Sequence, residues 1–235
     1  MPVFSADLLA ELATLDTPTV CNAIELLDPA RTGLGFTTEA LQCLYPSLKP
    51  MVGYARTATF RSMQPLAVPQ AEKSARNMAY YTYIAEGGPT PSVCIIQDLD
   101  GFRAGFGALW GEVNTHIHQG FGCLGVVTDG SVRDVDGNAP GFQMLCSKVV
   151  PSHAHYHIVD FGQPVNVAGM YAEHGDLIHA DRHGAVVIPE AIAAEIPKTA
   201  ALLAKREAAI IAAARTPGFN VEMLRNAVGN ARQIH

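Results

Sequence analysis

Apolar residues recur at helical spacing in residues 6–15 (ADLLAELATL), which predicts a helix. Asp16-Thr17-Pro18 then offers a capping carboxylate and a proline inside the first turn of a second helix, TVCNAIELL, where the missing proline N–H costs nothing. The period changes to two in Val52 to Ser62 (VGYARTATFRS), which predicts a strand. Residues 70–85 return to a helical pattern that Gly87-Gly88-Pro89 breaks, and Ser92 to Leu99 (SVCIIQDL) is apolar enough for a buried strand. Gly101, Gly105, Gly107 and Gly111 follow in a loop, then a helix over Glu112 to Gln119 (EVNTHIHQ) that Gly120 ends.

The second half holds consecutive short strands: Leu124 to Thr128, Met144 to Val150, Tyr156 to Val159 and Val165 to Val167. Gly175 to Asp181 and Ala185 to Ile188 read as a hairpin pair. Glu190 to Arg215 is alanine-rich and helical, with Pro197 tolerable only near a helix start or a break, and a shorter helix is expected over 220–232. Strands and helices alternate without a strict βαβ rhythm, which predicts an α/β layered fold with mixed sheets. With no repeat or low-complexity linker, the division is a single domain, its core at about 17–189 and a C-terminal helical tail at about 190–235.

Composition narrows the partners. Of 235 residues, 49% are hydrophobic and 16% charged, ample for a compact core. Lys and Arg number 16 against 22 Asp and Glu, a formal charge of −6, which argues against nucleic acid and anionic membrane as partners. Cys21, Cys43, Cys94, Cys123 and Cys146 are odd in number, widely spaced and without a C-x-x-C pair, and read as reduced thiols. Met1 to Asp7 lacks the basic head and apolar body of a signal peptide, and no apolar run approaches the ~18 residues of a membrane span. A cytoplasmic location is expected.

Two glycine patterns need separating. Gly120-Phe121-Gly122-Cys123-Leu124-Gly125 matches G-x-G-x-x-G, but a dinucleotide fingerprint needs a strand before it and a helix after it, and here the order is reversed. The cluster at 101–111 has the correct order. A helix entered from such a loop leaves backbone N–H groups free near Gly111 to Asn114, which suits a phosphate or carboxylate; an ordinary βα turn has the same spacing.

The stretch VVTDGSVRDVDG (126–137) leaves a buried strand through the turn signal Asp129-Gly130 and reaches Arg133-Asp134. An aspartate there offers a hard oxygen to Mg²⁺ or Mn²⁺, which need only one or two protein carboxylates. The adjacent arginine can bind a carboxylate bidentately and stabilise an oxyanion; a surface ion pair would read the same.

Gly111-Glu112, twenty intervening residues and Arg133-Asp134, with GVVTDGSVRD and the later GDLIHADRHGAVVIP, resemble the RraA-like family, and within it the 4-hydroxy-4-methyl-2-oxoglutarate/4-carboxy-4-hydroxy-2-oxoadipate aldolases. The resemblance runs from about Thr17 to Arg215. It implies a swivelling β/β/α layered fold and a homotrimer or homohexamer with sites at subunit interfaces. It also implies substrate binding by Gly111, Glu112, Val113, Asn114 and Arg133, and catalysis by Arg133, Glu112 and Asp134. Asp134 would anchor Mg²⁺ or Mn²⁺, helped by a glutamate from a neighbouring subunit's C-terminal helix, best matched by Glu207 and next by Glu195.

The implied activity is a metal-dependent retro-aldol cleavage of a 4-hydroxy-2-oxo diacid to pyruvate and a second oxo acid, with oxaloacetate decarboxylation as a side activity. A water oriented by Glu112 is one candidate for the base. The alternative is a regulator of the RraA kind, which binds and inhibits a ribonuclease. The sequence departs from the family pattern at Arg182-His183 and in the run His153-Ala154-His155-Tyr156-His157; three histidines two apart on a strand would share one face and suit a soft metal. None of Lys49, Lys73, Lys148, Lys198 and Lys205 lies in the motif region for a Schiff base, and Cys123 has no evident base to make it a nucleophile.

Overall fold

The computed structural model describes residues 3–234; Met1 and Pro2, part of the stretch read above as lacking a signal peptide, and His235 lie outside them. In chain order the elements are α1 (Ala6–Leu12), α2 (Thr17–Leu27), β1 (Gln42–Cys43), β2 (Met51–Arg61), α3 (Gln70–Glu86), β3 (Ser92–Asp98), β4 (Ala108–Trp110), α4 (Glu112–Gly120), β5 (Cys123–Thr128) and β6 (Ser131–Val132). There follow β7 (Gln143–Cys146), β8 (Lys148–Val149), β9 (His157–Phe161), β10 (Val165–Val167), β11 (Met170–Ala172), β12 (Leu177–Asp181), β13 (Gly184–Ile188), α5 (Ile196–Ala214) and α6 (Val221–Ala231).

The main sheet runs β1-β7-β5-β3-β2-β12-β13, and its centre, β7-β5-β3-β2, is parallel. The 11-residue β2 is buried along nearly its whole length, because its two halves have different neighbours on one edge: Met51 to Tyr54 pair with β12, and Ala58 to Arg61 pair with β9. A strand covered on both faces needs apolar residues at consecutive positions, and the two polar exceptions in MVGYARTATFR are held inside by Arg56 Nη2 donating to Pro89 O at 2.8 Å and Thr57 N donating to Tyr83 Oη at 3.0 Å. A second, three-stranded parallel sheet, β4-β6-β8, and the hairpin β10-β11 complete the strands. The α/β layered fold with mixed sheets and a C-terminal helical extension is therefore as expected.

The helix starts follow their caps. Asp16 Oδ1 accepts from Thr19 N at 2.9 Å, with Pro18 in the first turn of α2. The C-terminal α5 packs on α2 and α6.

Several expectations need correction. Met144 to Val150 is two strands, not one: Ser147 separates β7 in the main sheet from β8 in the small one, its N–H and hydroxyl both donating to Gly130 O. The segment from Glu190 opens as a 3-10 helix to Glu195, and α5 starts at Ile196 with Pro197 in its first turn, which places the proline where it is harmless. The histidine run does not lie on one strand, since only His157 belongs to β9; His153 to Tyr156 form a turn closed by Tyr156 N to His153 O at 3.2 Å. Gly120-Phe121-Gly122 ends α4 and turns into β5, with Gly122 at φ 83°. Cys94, Cys123 and Cys146 are buried, Cys21 and Cys43 half-buried, and all five are free.

Gly125 in β5 shows how tightly the parallel centre is packed: a methyl group there would collide with Gln143 O and would sit 2.5 Å from Met51 Sδ. Gly125→Ala is expected to lower the unfolding free energy by about 1–3 kcal/mol, the usual cost of overpacking, read as a reduced urea midpoint at unchanged m-value; an unchanged midpoint would contradict this packing.

Candidate active site at the joined ends of β4 and β6

The small sheet brings the two distant motifs together. β4 and β6 run parallel with Ala108 opposite Ser131 and Trp110 opposite Val132, so both strands end at the same edge. Beyond them Arg133 N donates to Trp110 O at 2.8 Å. The next residues are Gly111-Glu112 on one strand, opening α4, and Arg133-Asp134 on the other.

Asp134 has φ 52°, a left-handed conformation that costs a non-glycine residue about 1 kcal/mol. Its carbonyl closes a turn by accepting from Gly137 N at 2.9 Å. Its Oδ2 accepts from Glu112 N at 3.3 Å and lies 3.4 Å from Arg133 Nε. A carboxylate at a helix start satisfies an otherwise free N–H and meets the positive end of the helix. No side chain at position 111 could coexist with this arrangement, since a Cβ on Gly111 would sit 2.5 Å from Asp134 Oδ2 and 3.1 Å from Arg133 Cγ.

Beside this junction lies a cleft of about 350 Å³ lined by Gly111, Val113, Asn114 and Arg133, with Tyr81, His153 and Tyr156 opposite. Thr115 N is the first amide of α4 to reach back, to Gly111 O at 3.0 Å, so the N–H groups of Val113 and Asn114 have no intrahelical acceptor. The Asn114 side chain is committed to structure: Nδ2 donates to Leu109 O at 2.6 Å and Oδ1 accepts from Tyr81 at 2.7 Å. Burial pushes the Tyr81 phenol up to about 12, so it remains a donor at neutral pH. Behind the helix start, Asn138 donates to Arg133 O at 3.2 Å and to Tyr45 Oη at 3.2 Å, holding the turn that carries Arg133.

The structure thus joins Gly111, Glu112, Val113, Asn114, Arg133 and Asp134. Neither Glu112 nor Asp134 lines the cleft: Asp134 stands beside it against Arg133 and Glu112 N, and the Glu112 carboxylate rests on Gly137, where a Cβ would be 3.2 Å from Oε2. Glu207 and Glu195 are exposed, on α5 and at the end of the preceding 3-10 helix, and neither lines the cleft. Of the other acids in the motif, Asp129 serves the fold: its Oδ1 accepts from Asp98 N at 2.7 Å, and burial raises its carboxyl to about 6.

The pattern gave no signal for Tyr81, and it marked His153 and Tyr156 only as part of the histidine run and not as cleft wall, because all three approach the cleft from other elements.

As to metal, no group of three or more His, Cys, Asp or Glu able to hold an ion occurs among the described residues. A thiolate or imidazole site for a soft metal, and hence the soft-metal use of His153, His155 and His157, does not fit. One half-exposed carboxylate with Oδ1 free of protein donors among the described residues fits a water-rich Mg²⁺ or Mn²⁺, which retains most of its own waters.

Residues 17–187 match the model of the RraA-like family, described as Aldolase/RraA. The chain belongs to that family. No functionally curated protein sequence matches it. Among solved structures, an uncharacterized protein from Pseudomonas syringae pv. tomato str. DC3000 is similar with TM-score 0.68 at 23% identity, over 96% of this chain and 100% of its own. Streptomyces coelicolor RraAS2, described as an unusual member of the RNase ES inhibitor RraA protein family, gives TM-score 0.67 at 23% identity over 88% and 97%. A protein described as S-adenosylmethionine:2-dimethylmenaquinone methyltransferase from Geobacillus kaustophilus HTA426 gives 0.50 at 19% over 69% and 91%. At these identities the likeness is one of fold. No helix of the described residues is long and apolar enough to cross a membrane.

His118, inside α4, gives a pH test of this scaffold. Its Nδ1 donates to Asn114 O at 2.6 Å, its Nε2 accepts from Tyr80 Oη at 2.8 Å, and its ring packs on Trp110 with centroids 4.6 Å apart. Burial lowers its pKa from 6.5 to about 4, so the unfolded chain binds a proton that the native chain refuses. The stability this neutral ring contributes is present above about pH 6.5 and is lost as pH falls toward 4, on the order of 3 kcal/mol in all. Urea midpoints from pH 7.5 to 4.5 are expected to fall more steeply for wild type than for His118→Gln; equal slopes would contradict the buried neutral imidazole.

Proposed function

We propose that the protein is a divalent-metal-dependent lyase that cleaves a 4-hydroxy-2-oxo diacid to pyruvate and a second oxo acid. The observation that carries this reading is the junction at β4 and β6: a guanidinium, Arg133, and the start of α4 line one cleft, and Asp134, a carboxylate with a free oxygen, contacts both of them at the same strand ends. The family described as Aldolase/RraA supports the reaction class.

Asp134 would hold Mg²⁺ or Mn²⁺ through Oδ1, while its Oδ2 stays tied to Glu112 N. The bound cation supplies Lewis-acid polarisation of the 2-oxo group. The substrate's C1 carboxylate lies against the free N–H groups of Val113 and Asn114, the arrangement that makes a helix start an anion site. Glu112, beside Asp134 but outside the cleft wall, orients a water that takes the C4 hydroxyl proton. The C3–C4 bond then breaks, the C4 carbonyl leaves in the second oxo acid, and the electron pair remains on the pyruvate enolate, whose C3 takes the proton back from the same water to give pyruvate. Arg133 neutralises that charge where it develops, which is the main catalytic contribution in such a site. Oxaloacetate would lose CO₂ to give the same enolate, so its decarboxylation is an expected side activity. A glutamate supplied by a neighbouring subunit, Glu207 or Glu195, would complete the metal's water shell in a homotrimer or homohexamer.

The test is pyruvate release from 4-hydroxy-4-methyl-2-oxoglutarate and from oxaloacetate, with Mg²⁺ and with EDTA. Release by wild type is expected to need the metal, and Asp134→Ala and Arg133→Lys are each expected to lower kcat/KM at least about 100-fold, the scale of losing an oxyanion-stabilising group. Release from neither compound would overturn the reading in favour of a binding role such as ribonuclease inhibition.

A further inference from the structure

We propose that a basic trough adjoining the cleft, with Lys73 and Arg76 on its wall, holds the distal carboxylate of the substrate; this rests on the lyase reading and assigns the residues that select for that group. The trough has a volume of about 260 Å³ and shares His153 and Tyr156 with the candidate active-site cleft, so the two spaces adjoin at those side chains. One wall is the start of α3, with Lys73 and Arg76; the other is the turn carrying His153, His155 and His157. In a chain of formal charge −6, five basic or imidazole side chains around one depression stand against the overall charge. Glu72 offsets Arg76 at 2.8 Å, whereas Lys73 has no carboxylate within 4.0 Å among the described residues. A fixed positive charge beside an acid-binding cleft favours an anionic substituent.

The histidine wall is held in place by the fold. Ala154 takes φ 47°, a conformation unfavourable to alanine. His155 N donates to Ser62 O at 3.0 Å, and Ala108 N donates to Ser152 O at 3.0 Å. Gly107 permits the approach, since a Cβ there would lie 2.6 Å from Ala154 Cβ and 2.7 Å from His153 O. Nδ1 of His153 and of His157 donates to backbone carbonyls, at 2.7 and 3.0 Å, which fixes both rings and leaves each Nε2 without a protein partner among the described residues. This turn is anchored to the start of β4, the strand that also delivers Gly111, so trough and cleft keep a fixed spacing.

Two measurements test the trough, both on the full chain. Isothermal titration with tricarballylate, an unreactive tricarboxylate, is expected to show binding that weakens about tenfold in Lys73→Ala and further in Lys73→Ala/Arg76→Ala, the scale of a lost charged hydrogen bond. In steady-state kinetics, the ratio of kcat/KM for a 4-hydroxy-2-oxo tricarboxylate to that for oxaloacetate is expected to fall by a similar factor in Lys73→Ala. Both substitutions are outside the core, and matching thermal midpoints would confirm folding. Lysine-dependent tricarballylate binding without turnover of any oxo acid would keep the trough and sink the lyase reading. Turnover with an unchanged substrate ratio, or equal tricarballylate affinity in all three proteins, would overturn the trough.

Discussion

The parallel pairing of β4 with β6 is the contact on which the candidate site depends. Two very short strands, Ala108–Trp110 and Ser131–Val132, are held side by side, and the hydrogen bond from Arg133 N to Trp110 O extends the ladder one step past their ends. That step places Gly111 against Asp134, and the absence of a side chain at Gly111 is what lets Asp134 meet the first amide of α4. Everything chemical about the cleft follows from this edge: a carboxylate in a left-handed turn, an arginine beside it and the open amides of a helix start. The buried underside of α4, with His118 between Asn114 O, Tyr80 and Trp110, fixes the helix and so fixes the amides.

The sequence pattern made the long elements legible because each obeys one period. The apolar run SVCIIQDL is β3, Glu112 begins α4 and Asp16-Thr17-Pro18 opens α2, with boundaries off by a residue or so. The small sheet was not legible. β4, β6 and β8 are two or three residues long, too short for any period, and their pairing is a matter of long-range context that local pattern does not carry. The same cause explains why Met144 to Val150 read as one strand: its apolar run is continuous, and the division comes from Ser147 bonding to Gly130 O, a long-range contact.

Candidate residues divided the same way. Gly111 to Asn114 and Arg133-Asp134 could be named from spacing and family resemblance. The opposite wall, Tyr81, His153 and Tyr156, comes from α3 and a turn after β8. The histidine run misled for a physical reason. Alternation at every second residue implies one face only if the backbone is extended, and Ala154 at φ 47° breaks that extension. The same turn gives those histidines a different place, at the seam between cleft and basic trough.

In the proposed mechanism Asp134 and the α4 N-terminus together form one site for a divalent cation and an oxo-acid carboxylate. The most direct measurement is the thermal midpoint with oxalate, a planar mimic of the pyruvate enolate, with and without Mg²⁺. Oxalate and Mg²⁺ together are expected to stabilise wild type more than the sum of each alone, and this excess is expected to vanish in Asp134→Ala. Equal stabilisation of both proteins, or stabilisation by oxalate that EDTA leaves untouched, would contradict it.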